Sequence, residues 1–284
     1  MMKLTLHEMR DDYGLLEFEE VNYSFLNSVR RALISMVPCL AIHEVDFHMG
    51  ALGAWTDEEG DEHEYESLSA MFNEIFAHRL GMLPVPTDSA TLQAFGVAVN
   101  DPEQQPEIMY SLNKQGPCTV YSGDLEPING DKSLNIPDPH IPIVRLDEGQ
   151  AVLVYARATI GSGFQHAKWQ AVVAPRFHEA KTLRLSGKRS NELAEAAGTG
   201  GFQKSGKTQL LKDPVKAYHA IRNLRQFHTD EEAQAAIKIE TLPDRYLFEF
   251  ETTGAVTARL ALEQALKALD SHCAEFIAGL ETAA

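Results

Sequence analysis

Cysteine is scarce: the 284 residues hold only Cys39, Cys118 and Cys273. They are far apart, odd in number and form no C-x-x-C pair, so neither a disulfide framework nor a sulfur-ligated metal site is expected, and a reducing compartment fits. Long apolar runs are missing as well. The longest, AVLVYA at 151–156, is far too short to span a bilayer, and residues 1–10 lack the apolar core of a secretory leader. These features predict a soluble, cytoplasmic protein with no membrane segment. Positive charge is also in short supply, 25 Lys and Arg against 41 Asp and Glu, a net charge of −16. Such a surface repels a phosphate backbone, so direct sequence-specific contact with nucleic acid is not expected. The basic residues that exist concentrate in one stretch, at Lys181, Arg184, Lys188, Arg189, Lys204, Lys207 and Lys212, which reads either as a local basic patch or as a solvated loop.

What is present is an ordinary globular composition, 44% apolar, in a length that holds two or three domains. Residues 4–20 alternate apolar and polar around Asp11-Asp12, the period of a β-hairpin. In the helix that follows, Asn22 or Ser24 can serve as cap. Phe25, Val29, Leu33 and Met36 line one face with Leu26 and Val37 beside them, and Pro38 stops it. Residues 55–66 read as an acidic loop, and 67–80 as a second helix ended by Gly81. From 116 to 169 the pattern turns to short strands, CTVYSGDL, IPIVRL and AVLVYARATI. Between 176 and 236 periodicity weakens while Gly, Ser and Lys rise, as in a less regular module. A strand at 246–251 then leads to a final helix carrying Leu262, Leu266, Leu269, Cys273, Phe276 and Leu280 at intervals of three and four. Burying that stripe is worth about 10 kcal/mol, at roughly 1.5–3 kcal/mol per side chain, so it must meet this chain's core or another subunit.

Several stretches carry a resemblance. NSVRRALISMVPCLAIHEVDF (27–47), FNEIFAHRLGMLPV (72–85), GPCTVYSGDL (116–125), IPIVRLDEGQ (141–150), HAKWQ (166–170) and FEFETTGAV (248–256), in this order, resemble the D subunit of the archaeal DNA-directed RNA polymerase. That family is the counterpart of the third-largest subunit of eukaryotic polymerase II and of the N-terminal domain of the bacterial α subunit. The resemblance implies an α+β fold. A discontinuous α-subunit-like dimerisation domain, a short sheet plus two long helices, would come from residues 1–45 and 237–284. A β-rich domain (46–175) and a degenerate ferredoxin-like insert (176–236) would sit between them. It further implies a non-catalytic assembly scaffold of DNA-directed RNA polymerase that pairs with the small subunit L. The pair would dock the second-largest catalytic subunit and the small subunits N and P. The dimer interface would then be Phe25, Val29, Leu33 and Met36 together with Leu262, Leu266, Leu269, Cys273, Phe276 and Leu280. Arg30 and Arg31 fall where the family has its paired arginines, which implies docking of the large subunit; two guanidinium forks in succession point to different sides of a helix. His78 and Arg79 have no neighbouring nucleophile or oriented carboxylate in the sequence and read as structural. No catalytic residue and no metal ligand are expected.

The chain departs from the family in its insert. Many relatives carry a C-x2-C-x2-C-x3-C run after an Asn-Pro or Asp-Pro pair and bind an iron–sulfur cluster; here Asp213-Pro214 is followed by Ala217, Ala220, Asn223 and Phe227 at the ligand positions. None can donate a thiolate, so no cofactor is expected. Either Leu210, Leu211, Ile221, Leu224 and Phe227 compensate by packing or the module is loosely ordered. The eukaryotic zinc loop is missing too. GFQKSGKT (201–208) spells the phosphate-loop formula, but such a loop needs a buried strand before it and a helix after it. The preceding SNELAEAAGT is not strand-like and Pro214 interrupts any helix soon after Thr208, so a flexible loop is expected instead. The acidic run at 57–66 lacks calcium-loop spacing and reads as solvated carboxylates. Purified protein should therefore be colourless, with no iron–sulfur charge-transfer absorption; a brown preparation with stoichiometric iron would overturn the assignment.

Overall fold

The computed structural model describes residues 2–56, 59–67, 71–98 and 108–283. Along the chain these form β1 (Lys3–Met9), β2 (Tyr13–Glu19), α1 (Tyr23–Ser35), β3 (Pro38–Phe47), β4 (Ala51–Thr56), β5 (Glu62–Glu66), α2 (Asn73–Gly81), α3 (Ser89–Ala98), β6 (Ile108–Gln115), β7 (Cys118–Tyr121), β8 (Glu126–Pro127), β9 (Pro142–Leu146) and β10 (Ala151–Ser162). There follow β11 (Val172–Ser186), α4 (Ser190–Ala196), β12 (Gln203–Ser205), β13 (Thr208–Leu211), α5 (Pro214–Leu224), α6 (Glu231–Ala236), β14 (Ile237–Thr252) and α7 (Ala258–Ala283). The result is a mixed α and β structure in two compact units.

The first unit comprises Met1–Met9, Gly14–Asn27 and Pro175–Phe250. Its sheet has six strands in the order β1-β2-β14-β11-β13-β12. The alternating N-terminal segment pairs with itself as expected, Lys3 opposite Glu19 and Met9 opposite Gly14, with a register shift between Leu6 and Glu8. Gly14 is required there: a Cβ would come within 2.6 Å of the buried Phe250 ring. Rings bind the strands to the start of α1. Phe18 meets Phe25 edge-on at 6.4 Å and Phe248 at 6.1 Å, while Phe177 stacks parallel to Phe248 at 6.1 Å and meets Tyr23 at 4.8 Å. Such pairs add about 0.5–1.5 kcal/mol each beyond the area they bury.

The stretch expected to be irregular is ordered. Leu183, Leu185, Leu193, Leu211 and Leu224 form a core with Ala197, Ala217, Ala220 and Ala233, and Ile221 and Phe227 pack against it. Helix α5 starts as capping rules require: Asp213 accepts from the Lys216 N–H at 3.0 Å, and Pro214 occupies the first turn. Ala217, Ala220 and Leu224 then face inward at helical spacing. Ala217 and Ala220 are thus closely packed, and Leu210 is only half-buried while Leu211 takes the interior place. The module is also not separate from the terminal hairpin. β11, β12 and β13 share a sheet with β1, β2 and β14, so the expected boundary at 236/237 cuts through one hydrogen-bonded layer.

The second unit comprises Arg10–Tyr13, Ser28–Ala174 and Glu251–Ala284. A four-stranded sheet, β3-β10-β6-β8, and a two-stranded one, β7-β9, contribute to a core that includes Tyr110, Leu112, Val154 and Phe76. β3 pairs with β10 from Pro38 opposite Ser162 to Phe47 opposite Val154, so no boundary falls at 45/46. The acidic segment is not simply a loop. β4 and β5 pair antiparallel, and Trp55 stacks on His63 at 4.8 Å; residues 57 and 58 of that run lie outside the described residues. The second helix begins only at Asn73, later than the expected 67, with 68–70 outside the described residues. Arg79 donates to the Ile143 carbonyl, a structural use of that side chain.

The core of the first unit makes a direct test. Leu211 is fully buried, and Leu211→Ala should cost about 2–5 kcal/mol in urea unfolding. A loss below about 1 kcal/mol would mean that the module is not packed as described.

Candidate functional site

Helix α7 begins where backbone groups hold it. Thr257 Oγ1 accepts from the Leu260 N–H at 3.3 Å, and the Ala258 N–H donates to the Asp11 carbonyl at 2.7 Å in the turn between β1 and β2. Just before it, the Thr252 N–H donates to the Asp12 carbonyl at 2.9 Å and the Thr253 N–H to the Ala171 carbonyl at 3.0 Å. The first turns bury Ala258, Leu260, Ala261 and Ala265. Beyond that anchor the helix is bare. Every residue from 270 to 282 is exposed, which at 1.5 Å per residue is roughly 20 Å of helix.

The apolar stripe does not end with the anchor. Leu262, Leu266, Leu269, Cys273, Phe276 and Leu280 lie within about 80° of arc on the side that Ala258 and Ala265 bury, at 100° per residue. Leu262 and Leu269 are half-buried; Leu266 is 42% exposed, Phe276 68% and Leu280 56%. Ile277, 56% exposed, four residues after Cys273 and three before Leu280, widens the stripe. Arg259, Glu263, Lys267, Asp270 and Glu275 occupy other faces. Covering a large apolar side chain is worth about 1.5–3 kcal/mol, so this end of the helix holds a large unrealised stabilisation.

Helix α1 behaves differently from its expected role. Asn22 is its cap, accepting from the Phe25 N–H at 2.8 Å. Leu26, Val29, Ala32 and Leu33 turn inward and are 1% exposed or less. Val29 and Leu33 are therefore core residues that offer no surface to a partner. Periodicity located an apolar face; the chain itself covers most of it. Of the expected interface residues on this helix, Phe25 is 37% exposed and Met36 half-buried. Arg30 is half-buried and Arg31 exposed.

The enzyme-like motif does not form a phosphate loop. Residues 201–208 lead into and around a hairpin in which Ser205 pairs with Thr208 and Gln203 with Leu210, and Gly206 supplies the positive φ of +59° at the first loop position. Strand, not helix, follows Thr208, so no helix N-terminus faces the loop. Among the described residues there is no group of three or more His, Cys, Asp or Glu side chains able to hold a metal ion. No described helix is long and apolar enough to cross a membrane.

The helix is thus rooted in its own core at one end and bare along the same apolar face at the other. The chain belongs to the RNA polymerase Rpb3/Rpb11 dimerisation domain family, whose model matches residues 16–273. It is 33% identical over 276 residues to the DNA-directed RNA polymerase subunit Rpo3 of Picrophilus torridus, covering 94% of this chain and 95% of that protein. It is 30% identical over 282 residues to Rpo3 of Thermoplasma volcanium, with 94% and 95% covered. With Rpo3 of Pyrococcus furiosus it shares 29% identity over 282 residues, 99% and 97% of the two chains.

The cysteines report on the bare end. Cys39 is buried, its Sγ donating to the Trp169 carbonyl at 3.1 Å, and burial pushes its thiol up to about 12, whereas Cys273 is exposed on the stripe. A maleimide at neutral pH should modify Cys273 of the isolated chain within minutes and leave Cys39 untouched, as peptide mass mapping would read. Slow labelling of Cys273 would mean that this end of α7 is covered from within.

Proposed function

We propose that this chain is the Rpo3-type subunit of an archaeal-type DNA-directed RNA polymerase, and that it acts as a non-catalytic assembly scaffold in the cytoplasm. Its discontinuous dimerisation domain pairs with a small L-like subunit through the α7 stripe, chiefly Leu266, Leu269, Cys273, Phe276 and Leu280; on α1, Phe25 and Met36 are the expected interface residues left accessible. The pair then seats the second-largest catalytic subunit, to which Arg30 and Arg31 contribute, and the small subunits N and P. The single observation that supports this reading is the apolar face of α7 left uncovered from 270 to 282. Membership of the dimerisation family and near full-length similarity to proteins named Rpo3 supply the identity of the assembly. We also infer that the chain works without an iron–sulfur cluster. Alanine, alanine, asparagine and phenylalanine stand at the four ligand positions, and Ala217 and Ala220 are spent on packing.

The test is co-expression with the small L-like subunit of the same polymerase. Phe276→Asp or Leu280→Asp should abolish the one-to-one complex, since each places a charge in an apolar contact while leaving the core intact. Glu281→Lys, on the solvent side, should leave the complex unchanged. An intact dimer with both aspartate variants refutes the assignment of the interface, and failure of the wild-type pair to associate refutes the scaffold reading.

A further inference from the structure

We propose that the first unit carries a binding site for a small organic anion with an aromatic body, in a cleft formed by β11, β14 and α5. The cleft is a cavity of about 310 Å³, the size of a small-molecule pocket. Pro214, Ile221 and Leu247 give it an apolar wall, and Lys181, Arg222 and Arg225 bring three cations to it against one carboxylate, Glu179. In a chain of net charge −16 this is a local inversion. Residues 175–250 hold 13 Lys and Arg against 10 Asp and Glu, while the rest holds 12 against 31.

The pairing of these cations separates them from their neighbours. Arg176 is bound to Glu249 at 2.8 Å, Arg189 to Glu192 at 2.7 Å and Asp230 at 2.6 Å, and Arg245 to Glu17. Lys181, Arg222 and Arg225 have no ion-pair partner among the described residues, although all three line one cavity. Arg222 and Arg225 are three apart, so they project from the same side of the helical segment. Two adjacent guanidinium forks match the oxygens of a phosphate or a carboxylate head group.

The cavity also presents a ring surface, with an unused polar atom buried beside it. His178 stacks on Tyr218 with centroids 4.3 Å apart and planes 25° from parallel. Its Nε2 is buried and has no hydrogen-bond partner. An orphaned buried nitrogen costs stability that a bound acceptor oxygen would recover. The groups facing this imidazole are Tyr218, Glu249, Lys181 and Arg176. Burial is the main influence and holds the ring below its ordinary pKa, with Lys181 and Arg176 acting in the same direction and Glu249 against them. The free site therefore presents a neutral imidazole at neutral pH. A bound anion stabilises the imidazolium and raises its pKa, so binding takes up a proton and tightens as pH falls.

The experiment is calorimetric titration of the full chain with phenyl phosphate and, separately, phenylacetate at matched ionic strength, with histidine NMR shifts recorded alongside. At least one probe should bind saturably and shift the His178 resonance, and the tighter of the two identifies the head group. Replacing Arg222→Ala and Arg225→Ala together should weaken binding by at least about tenfold, as expected for losing charged hydrogen bonds. Lys204→Ala with Lys207→Ala, basic residues outside the cavity, should not. Wild-type affinity for phenylacetate, which stays fully ionised over this range, should rise from about pH 8 to about pH 6.5, and His178→Phe should flatten that dependence. If the alanine pair lowers the melting temperature, Arg222→Gln with Arg225→Gln takes its place. The proposal is overturned if neither probe binds saturably, if the arginine variants bind as the wild type does, or if the lysine pair weakens binding equally.

Discussion

The first unit depends on β2 lying beside β14. The paired side chains Glu17 and Arg245 are 228 positions apart in sequence, and no local preference brings such segments together. The contact is charged and largely out of water. Arg245 Nε donates to Glu17 Oε1 at 2.9 Å, and His7 Nε2 of β1 stands 2.8 Å from Glu17 Oε2. A carboxylate as buried as Glu17 is tolerable only when such partners satisfy it, and removing one is far worse than never having had the pair. Such a pair is weak evidence for net stability, whereas breaking it would leave a buried charge uncompensated.

β14 ends at Thr252 and α7 begins at Ala258. The carbonyls of Asp11 and Asp12, in the turn between β1 and β2, accept from Ala258 and Thr252 and hold the connection. A hairpin at the N-terminus thereby helps launch the helix at the C-terminus.

Much of this was legible in the sequence, and the failures have distinct causes. The hairpin, the first helix with its cap at Asn22 or Ser24, and the final amphipathic helix followed from periodicity and caps, signals that act over a few residues. The face of α1 was found, but period alone cannot say what covers a face, and Val29 and Leu33 are interior. The 176–236 stretch looked irregular because its core is built with alanines, whose contrast against polar neighbours is too small to mark a helical face. Within β2 and β14, Glu17 and Glu249 are buried beside their apolar neighbours, which their charge alone does not suggest. Arginines from distant segments make that possible, Arg245 for the first and Arg176 for the second. The phosphate-loop letters misled for the opposite reason, since a formula of residues says nothing about the strand and helix that must flank it, and here the same letters turn a hairpin.

The same reasoning bears on the bare end of α7. Residues 270–282, DSHCAEFIAGLET, include Gly279 and the β-branched Ile277 and Thr282, and neither kind of residue favours helix. A stretch of 13 residues is marginal as an isolated helix even with better composition. Its helical form is therefore propagated from the buried turns at Ala258, Ala261 and Ala265, which supply the costly nucleus, and the outer turns gain little from their own propensity. Any partner that covers Phe276, Ile277 and Leu280 then supplies two stabilisations at once, burial of the stripe and tertiary support for the turns that carry it. Changes that unsettle the buried turns at Ala258, Ala261 and Ala265 should consequently weaken recognition as well as changes in the stripe itself, because the geometry of the outer turns is inherited from the inner ones.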